Sequence, residues 1–276
     1  MPGREQSRLT DSGMSRSRTV GTKSRIAEGQ IAVVTGAGSG IGRAIASCLN
    51  DSGVRVLGCG RGEPRENLET EIHWRCADVS RPDDIRSLGR TVAQMPGRLG
   101  ILVNNAGIQL EKNIVATTDD DWSMVMGTNC RGVFNACREF IPIMESLGGG
   151  VIVNIGSISG NFADPGLALY NASKGFVHAL TRSIAVDHGP LIRCNAVSPG
   201  WIMTEMAQAA FQESSDVAQV KADALARHPV GRLGLPADIA NMVRWLVSDD
   251  ASFVTGQCMT VDGGLTAASP IRTDLY

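Results

Sequence analysis

No stretch of this 276-residue chain approaches the roughly 18 to 20 consecutive apolar residues that cross a bilayer, and its N-terminus lacks the apolar centre of a secretory signal. A soluble, cytoplasmic protein is expected. Charge of one sign is missing too: 26 Lys and Arg stand against 28 Asp and Glu, for a net charge of -2. That balance excludes binding driven by nucleic-acid phosphates. The seven cysteines (Cys48, Cys59, Cys76, Cys130, Cys137, Cys194 and Cys258) are odd in number and include no C-x-x-C pair. They read as free thiols, most of them buried, in a reducing compartment. His73, His178, His188 and His228 show no ligand spacing to each other or to cysteine, so no metal site is expected.

What the chain does have is apolar residues, at 43%, enough to exclude a disordered tail and to fill the core of one or two domains. It also has a glycine surplus: 32, where usage of about 7% gives about 19. No Gly-X-Y period accompanies them, so these glycines belong to specific turns.

Residues 1–25 carry six basic side chains (Arg4, Arg8, Arg16, Arg18, Lys23 and Arg25) against two acids and read as a disordered basic extension. From residue 30 short apolar runs alternate with longer amphipathic ones, the pattern of β-α units around a parallel sheet. Strands are predicted at 31–34, 54–59, 72–76, 101–103, 151–155, 193–197 and 258–261. Seven strands with helices between them make one doubly wound, Rossmann-type α/β domain over 26–276, built on a seven-stranded parallel sheet. After the first strand, Ile41, Ala44, Ile45, Cys48 and Leu49 follow the helical period, and Gly53 marks the helix end. The 122–145 segment reads as a long helix, apolar on more than one side (Trp122, Val125, Phe134, Phe140), to be buried in the fold or packed on another subunit. The polar helical segment 205–229 reads as a mobile lid.

Directly after the first strand comes Thr35-Gly36-Ala37-Gly38-Ser39-Gly40-Ile41-Gly42. Residues without side chains allow positive φ and let a pyrophosphate approach the backbone, while the following helix N-terminus offers free N–H groups. Gly36, Ser39, Gly40, Ile41 and Gly42 are therefore candidate cofactor contacts. The spacing does not satisfy G-x-G-x-x-G. The second strand ends Gly58-Cys59-Gly60-Arg61, with no acid to accept from a ribose 2′-hydroxyl and with an arginine able to pair with a 2′-phosphate. NADP is favoured over NAD on that ground, with Arg61 as its contact.

Tyr170 and Lys174 stand four apart in a helical stretch and so project from one face. A nearby ammonium favours the phenolate, and the pair can exchange a proton with an alcohol or carbonyl. With this pair in place the sequence resembles the short-chain dehydrogenase/reductase family over about residues 29–264. Thr35-Gly36 with Gly40-Ile41-Gly42 resembles its cofactor turn, and Asn104-Asn105-Ala106-Gly107 resembles its N-N-A-G element. Asp78-Val79 is similar to its adenine-pocket pair, and Pro199-Gly200 with Ile202 and Thr204 to the segment that holds the nicotinamide carboxamide. Asn129, Ser157, Tyr170 and Lys174 fall where the family places its catalytic residues.

The resemblance implies that Tyr170 is the acid/base, that Lys174 lowers its pKa and holds the nicotinamide ribose, and that Ser157 stabilises the substrate oxygen. It implies further that Asn129 anchors a water leading from Lys174 to solvent. Gly156 replaces a serine common in the family, and Ser159 is a rival to Ser157. The function so implied is NAD(P)-dependent interconversion of a secondary alcohol and a ketone, read as carbonyl reduction on a mostly apolar substrate bordered by Phe162, Leu167, Trp201, Met203 and Met206. Alternatives are a catalytically silent dinucleotide sensor and an NAD-dependent alcohol or diol dehydrogenase. A homotetramer or dimer is expected.

Overall fold

The first strand, β1 (Gln30–Thr35), is buried at every position because both its faces are covered. Ile31 and Val33 enter one apolar cluster, while Ala32 and Val34, pointing the other way, enter a second. A strand buried on both faces reads as a continuous apolar run, as the sequence shows here. The computed structural model describes residues 26–64, 71–205 and 217–267.

The remaining strands are β2 (Arg55–Gly60), β3 (His73–Cys76), β4 (Arg98–Asn104), β5 (Gly150–Ile155), β6 (Ile192–Pro199) and β7 (Cys258–Val261). They form one seven-stranded sheet in the order β3-β2-β1-β4-β5-β6-β7, parallel throughout. Each coincides with a strand expected from the sequence. The longer helices are α1 (Gly40–Asp51), α2 (Pro82–Gln94), α3 (Asp119–Met126), α4 (Gly132–Ser146), α5 (Ala168–Asp187), α6 (Val217–Ala226) and α7 (Pro236–Val247). Side chains of α2, α4 and α5, such as Leu88, Phe140 and Val177, fill one cluster against the sheet. On the opposite face α1 and α7 supply Ile45, Leu49, Val243 and Leu246. This is the doubly wound architecture, and its strand order reverses direction between β1 and β4.

The 122–145 segment is not one continuous helix. α3 gives way to a wider, π-type turn at Gly127–Arg131 before α4 begins. Gly132 passes so close to Val79 that a side chain there would collide with it. The extra residue in the turn carries Asn129 inward, to 1% exposure. Within the segment Val125 and Phe140 are buried in the fold, whereas Trp122, Met124 and Phe134 stay largely exposed. Of the expected lid, α6 lies within the described residues and is helical; positions 206–216, like 1–25, lie outside them.

Candidate active site

The strand order reverses between β1 and β4, the point at which doubly wound sheets bind ligands in a crevice, and the glycine turn lies there. Gly36 and Gly40 take φ of +65° and +51°, conformations costly for any residue with a side chain. A Cβ on Gly42 would run into the Gly36 carbonyl. The turn is fastened to the end of β4 from both sides. Asn105 Nδ2 donates to the carbonyls of Thr35 and Gly36 at 3.0 and 3.1 Å. In return Thr35 Oγ1 accepts the N–H groups of Asn105 and Ala106, each at 3.0 Å. The fastening role of Thr35 was not assigned from sequence, although a hydroxyl placed directly before the first glycine is its signal.

At the N-terminus of α1, Ser39 makes no side-chain cap and the first turn holds no acid. Its N–H groups and partial positive charge are thus left for an anion, and the residues present fit a dinucleotide pyrophosphate.

On α5, Lys174 Nζ lies 5.6 Å from the centre of the Tyr170 ring. Lys174 is 5% exposed and donates to the Ile155 carbonyl at 2.9 Å, at the end of β5. Burial pushes its ammonium down from 10.5 to about 8. Tyr170 moves the opposite way: burial raises its phenol above the usual 10.0, and a hydrogen bond with Ser157 pulls it partly back. The sequence reading had the ammonium favouring the phenolate. In the folded chain burial is the largest influence on the phenol, and its net shift is upward.

Ser157 sits in the turn after β5, where its Oγ accepts the Ser159 N–H at 3.1 Å and also meets Tyr170. Ser159 therefore orients Ser157 through its backbone. Ser157→Ala is expected to lower turnover about a hundredfold, the scale for one donor to a developing oxyanion, while Ser159→Ala keeps the N–H and stays within about threefold. Equal losses in a steady-state assay would reverse the assignment.

Asn129 is fully engaged. Its Oδ1 accepts Ile108 N–H at 2.8 Å, and its Nδ2 donates to the Ile108 carbonyl and to Ser173 Oγ, each at 2.9 Å. The Ser173 hydroxyl in turn donates to the Tyr170 carbonyl at 2.7 Å. A Cβ built on Gly107 would lie 3.4 Å from Asn129 Oδ1 and 3.5 Å from Lys174 Nζ, which brings the three residues together. Ser173 was also missed from sequence; its position three residues after Tyr170, on the same helix face, was the available clue.

Toward the β3 side, Arg61 is exposed just beyond β2, and the Trp74 ring lies over Gly58 and Gly60. Asp78 accepts the N–H and hydroxyl of Ser80 at 2.9 and 2.7 Å, and Val79 beside it is buried. Toward the β7 side, Pro199 ends β6 and Gly200 N–H donates to the Val261 carbonyl at 3.0 Å. Ile202 bridges to Gly234, and Thr204 returns to within 3.3 Å of a Cβ built on Gly40. Nearby, Phe162 and Trp201 expose apolar surface, Leu167 is buried and bridged to Lys112, and Met203 is partly buried. Met206 lies outside the described residues.

All seven cysteines are free, four of them buried. Among the described residues no cluster of His, Cys, Asp or Glu could hold a metal ion, and no helix is long and apolar enough to cross a membrane.

Residues 36–266 match the family model described as enoyl-(acyl carrier protein) reductase. The 3-oxoacyl-[acyl-carrier-protein] reductase FabG of Thermotoga maritima is 35% identical over 250 residues, 86% of this chain and 98% of that one. The 2-(R)-hydroxypropyl-CoM dehydrogenase of Xanthobacter autotrophicus is 38% identical over 251 residues, 86% of this chain and 99% of the relative. Among solved structures, the ligand-free aldohexose dehydrogenase of Thermoplasma acidophilum superposes with a TM-score of 0.84 at 35% identity, covering 89% of this chain and 97% of its own. The actinorhodin polyketide ketoreductase with NADPH gives 0.80 at 35% identity, covering 87% and 98%. The chain belongs to the short-chain dehydrogenase/reductase family, as an NAD(P)-dependent oxidoreductase of alcohol and carbonyl groups.

Proposed function

We propose that the chain is an NADP(H)-preferring carbonyl reductase acting on a mostly apolar ketone. One observation carries the reading: the buried Tyr170 phenol, joined to the Ser157 hydroxyl, has Lys174 Nζ 5.6 Å from its ring centre. Such a group is a proton donor at neutral pH, the requirement of the reductive direction. When bound, the nicotinamide supplies the hydride. Tyr170 delivers the proton to the carbonyl oxygen, and Ser157 donates a hydrogen bond to the same oxygen as its charge grows. Lys174 holds the nicotinamide ribose and restores the Tyr170 proton. Asn129, bonded to Ile108 and Ser173, braces the segment next to the Lys174 amine, where it would anchor a water leading from Lys174 to solvent.

Gly36, Ser39, Gly40, Ile41 and Gly42 receive the pyrophosphate, with Asn105, Ala106 and Gly107 lining the crevice. Asp78 and Val79 flank the adenine, and Pro199, Gly200, Ile202 and Thr204 hold the carboxamide. Arg61 stands where it can pair with a 2′-phosphate, and Gly60 leaves no carboxylate to repel one. Phe162, Leu167, Trp201 and Met203 form an apolar border for the ketone. The exposed Trp122, Met124 and Phe134 on α3 and α4 support a homo-oligomer, dimer or tetramer, and the free thiols support a cytoplasmic setting.

Fluorescence titration tests the cofactor and an absorbance screen of ketones with NADPH tests the chemistry. A charge-assisted bond contributes about 1.5–3 kcal/mol, and about 1.4 kcal/mol is tenfold, so NADPH should bind about tenfold or more tighter than NADH. Arg61→Ala should erase that difference. Tighter binding of NADH would overturn the assignment.

A further inference from the structure

His178 takes no part in the chemistry above, yet it lies on the face of α5 that carries Tyr170 and Lys174, one turn beyond the lysine. It is 2% exposed. Its Nε2 is 2.9 Å from Ser198 Oγ, at the end of β6, and its Nδ1 is 3.3 Å from Asn161 Oδ1, at the end of the turn that begins with Ser157. With Asn161 presenting an oxygen, Nδ1 carries the proton and Nε2 accepts the serine hydroxyl. The ring is held neutral by burial and by the charges of Lys174 and Arg182, which lower its pKa.

Two glycines bracket this turn, and both are explained by the ring. A Cβ on Gly156 would run into His178 Nε2, and one on Gly160 into His178 Cε1. The imidazole thus fills the space beneath both ends of the segment that presents Ser157. It ties that segment to β6 on one side and to α5 on the other.

We propose that His178 is a positioning residue for the catalytic serine: its imidazole, wedged under Gly156 and Gly160 and bonded to Asn161 and Ser198, fixes the turn that aims the Ser157 hydroxyl at Tyr170. Gly156 is then glycine because the imidazole occupies the place of a side chain. The proposal rests on the reading of Ser157 and Tyr170 as the catalytic pair.

The chain has two tyrosines, Tyr170 and Tyr276, so in a Tyr276→Phe background the phenolate absorbance reports Tyr170 alone. Ser157 lowers the Tyr170 pKa, so loosening the serine should raise it. In that background His178→Leu should shift the Tyr170 titration upward by about half a pH unit or more, roughly threefold in ionisation constant. It should also speed hydrogen exchange over residues 156–161. With NADPH and acetoacetyl-coenzyme A as the probe, kcat should fall about tenfold with KM within about twofold, and His178→Gln, which keeps a polar reach to Ser198, should recover to within about threefold of the parent.

In a Ser157→Ala background His178→Leu should add almost nothing to either readout, because its effect passes through Ser157. An unshifted Tyr170 titration with unchanged exchange, or an equal further loss without Ser157, would overturn the proposal. If His178→Leu fails to fold, Asn161→Ala, which removes one anchor at an exposed position, is read in the same way. A Ser157→Ala chain with unchanged titration and turnover would instead overturn the catalytic pair itself.

Discussion

Tyr170→Phe removes one oxygen atom and is expected to lower turnover by about two to four orders of magnitude, the usual contribution of a positioned acid or base. NADPH affinity should stay within about twofold, because the ring and its packing on α5 remain. Paired measurements of turnover and fluorescence titration check this. A variant retaining more than about a tenth of the parental rate would place the acid elsewhere. The pH profile adds a sign. Burial raises the Tyr170 pKa above 10.0, so the protonated acid predominates through neutral pH and declines only in the alkaline range. Lys174, which restores the Tyr170 proton, titrates near 8, so reduction should be flat from about pH 6 to 7 and decline from about 8 upward. Oxidation needs the phenolate and should rise about tenfold per pH unit until the phenol has titrated. The phenylalanine variant should lose both dependences.

That acid was visible in the sequence as a tyrosine four residues before a lysine, and so was the fold around it. Strands buried on both faces write themselves as apolar runs, and the inner strands such as β1 and β4 were legible for that reason, while the edge strands β3 and β7, which are largely unburied, were legible from their place in the alternation of short apolar and longer amphipathic runs. The glycine turn was legible because positive φ and close approach leave glycine as the residue that fits. What could not be read were relations between segments distant in the chain. Periodicity runs straight through 122–145, whereas the break at Gly127–Arg131 directly precedes the close pass of Gly132 over Val79, a contact between α4 and the turn after β3.

Thr35, Ser173 and His178 were passed over for a related reason. A threonine, a serine or a histidine is ordinary in its own segment and acquires its role from Asn105, Asn129 or Asn161 across the fold. The direction of the Tyr170 shift belongs here as well. Sequence spacing reports that a charge is near, but the weight of desolvation against that charge depends on burial.

Lys174 shows the cost of building such a site. Its pKa falls from 10.5 to about 8, which at about 1.36 kcal/mol per unit is a penalty on the order of 3 kcal/mol for holding the ammonium out of water. The unfolded chain keeps its proton up to about pH 10.5, whereas the folded chain releases it near 8. Below pH 8 both states are charged and the folded state bears the whole penalty. Between about 8 and 10.5 the unfolded state binds more protons, so stability rises with pH until the penalty is gone. Lys174→Met keeps the length of the side chain and removes the charge. It leaves the Ile155 carbonyl without its donor, a loss of about 1 kcal/mol. The net expectation at pH 7 is a chain more stable by about 1–2 kcal/mol and less active by about two to three orders of magnitude. Denaturant unfolding of both chains at pH 7 and pH 10 measures it: the methionine variant should lead at pH 7, and its advantage should shrink at pH 10. A variant less stable than its parent at pH 7 would mean that the buried ammonium is compensated within the fold, and that this site is not held at the expense of stability.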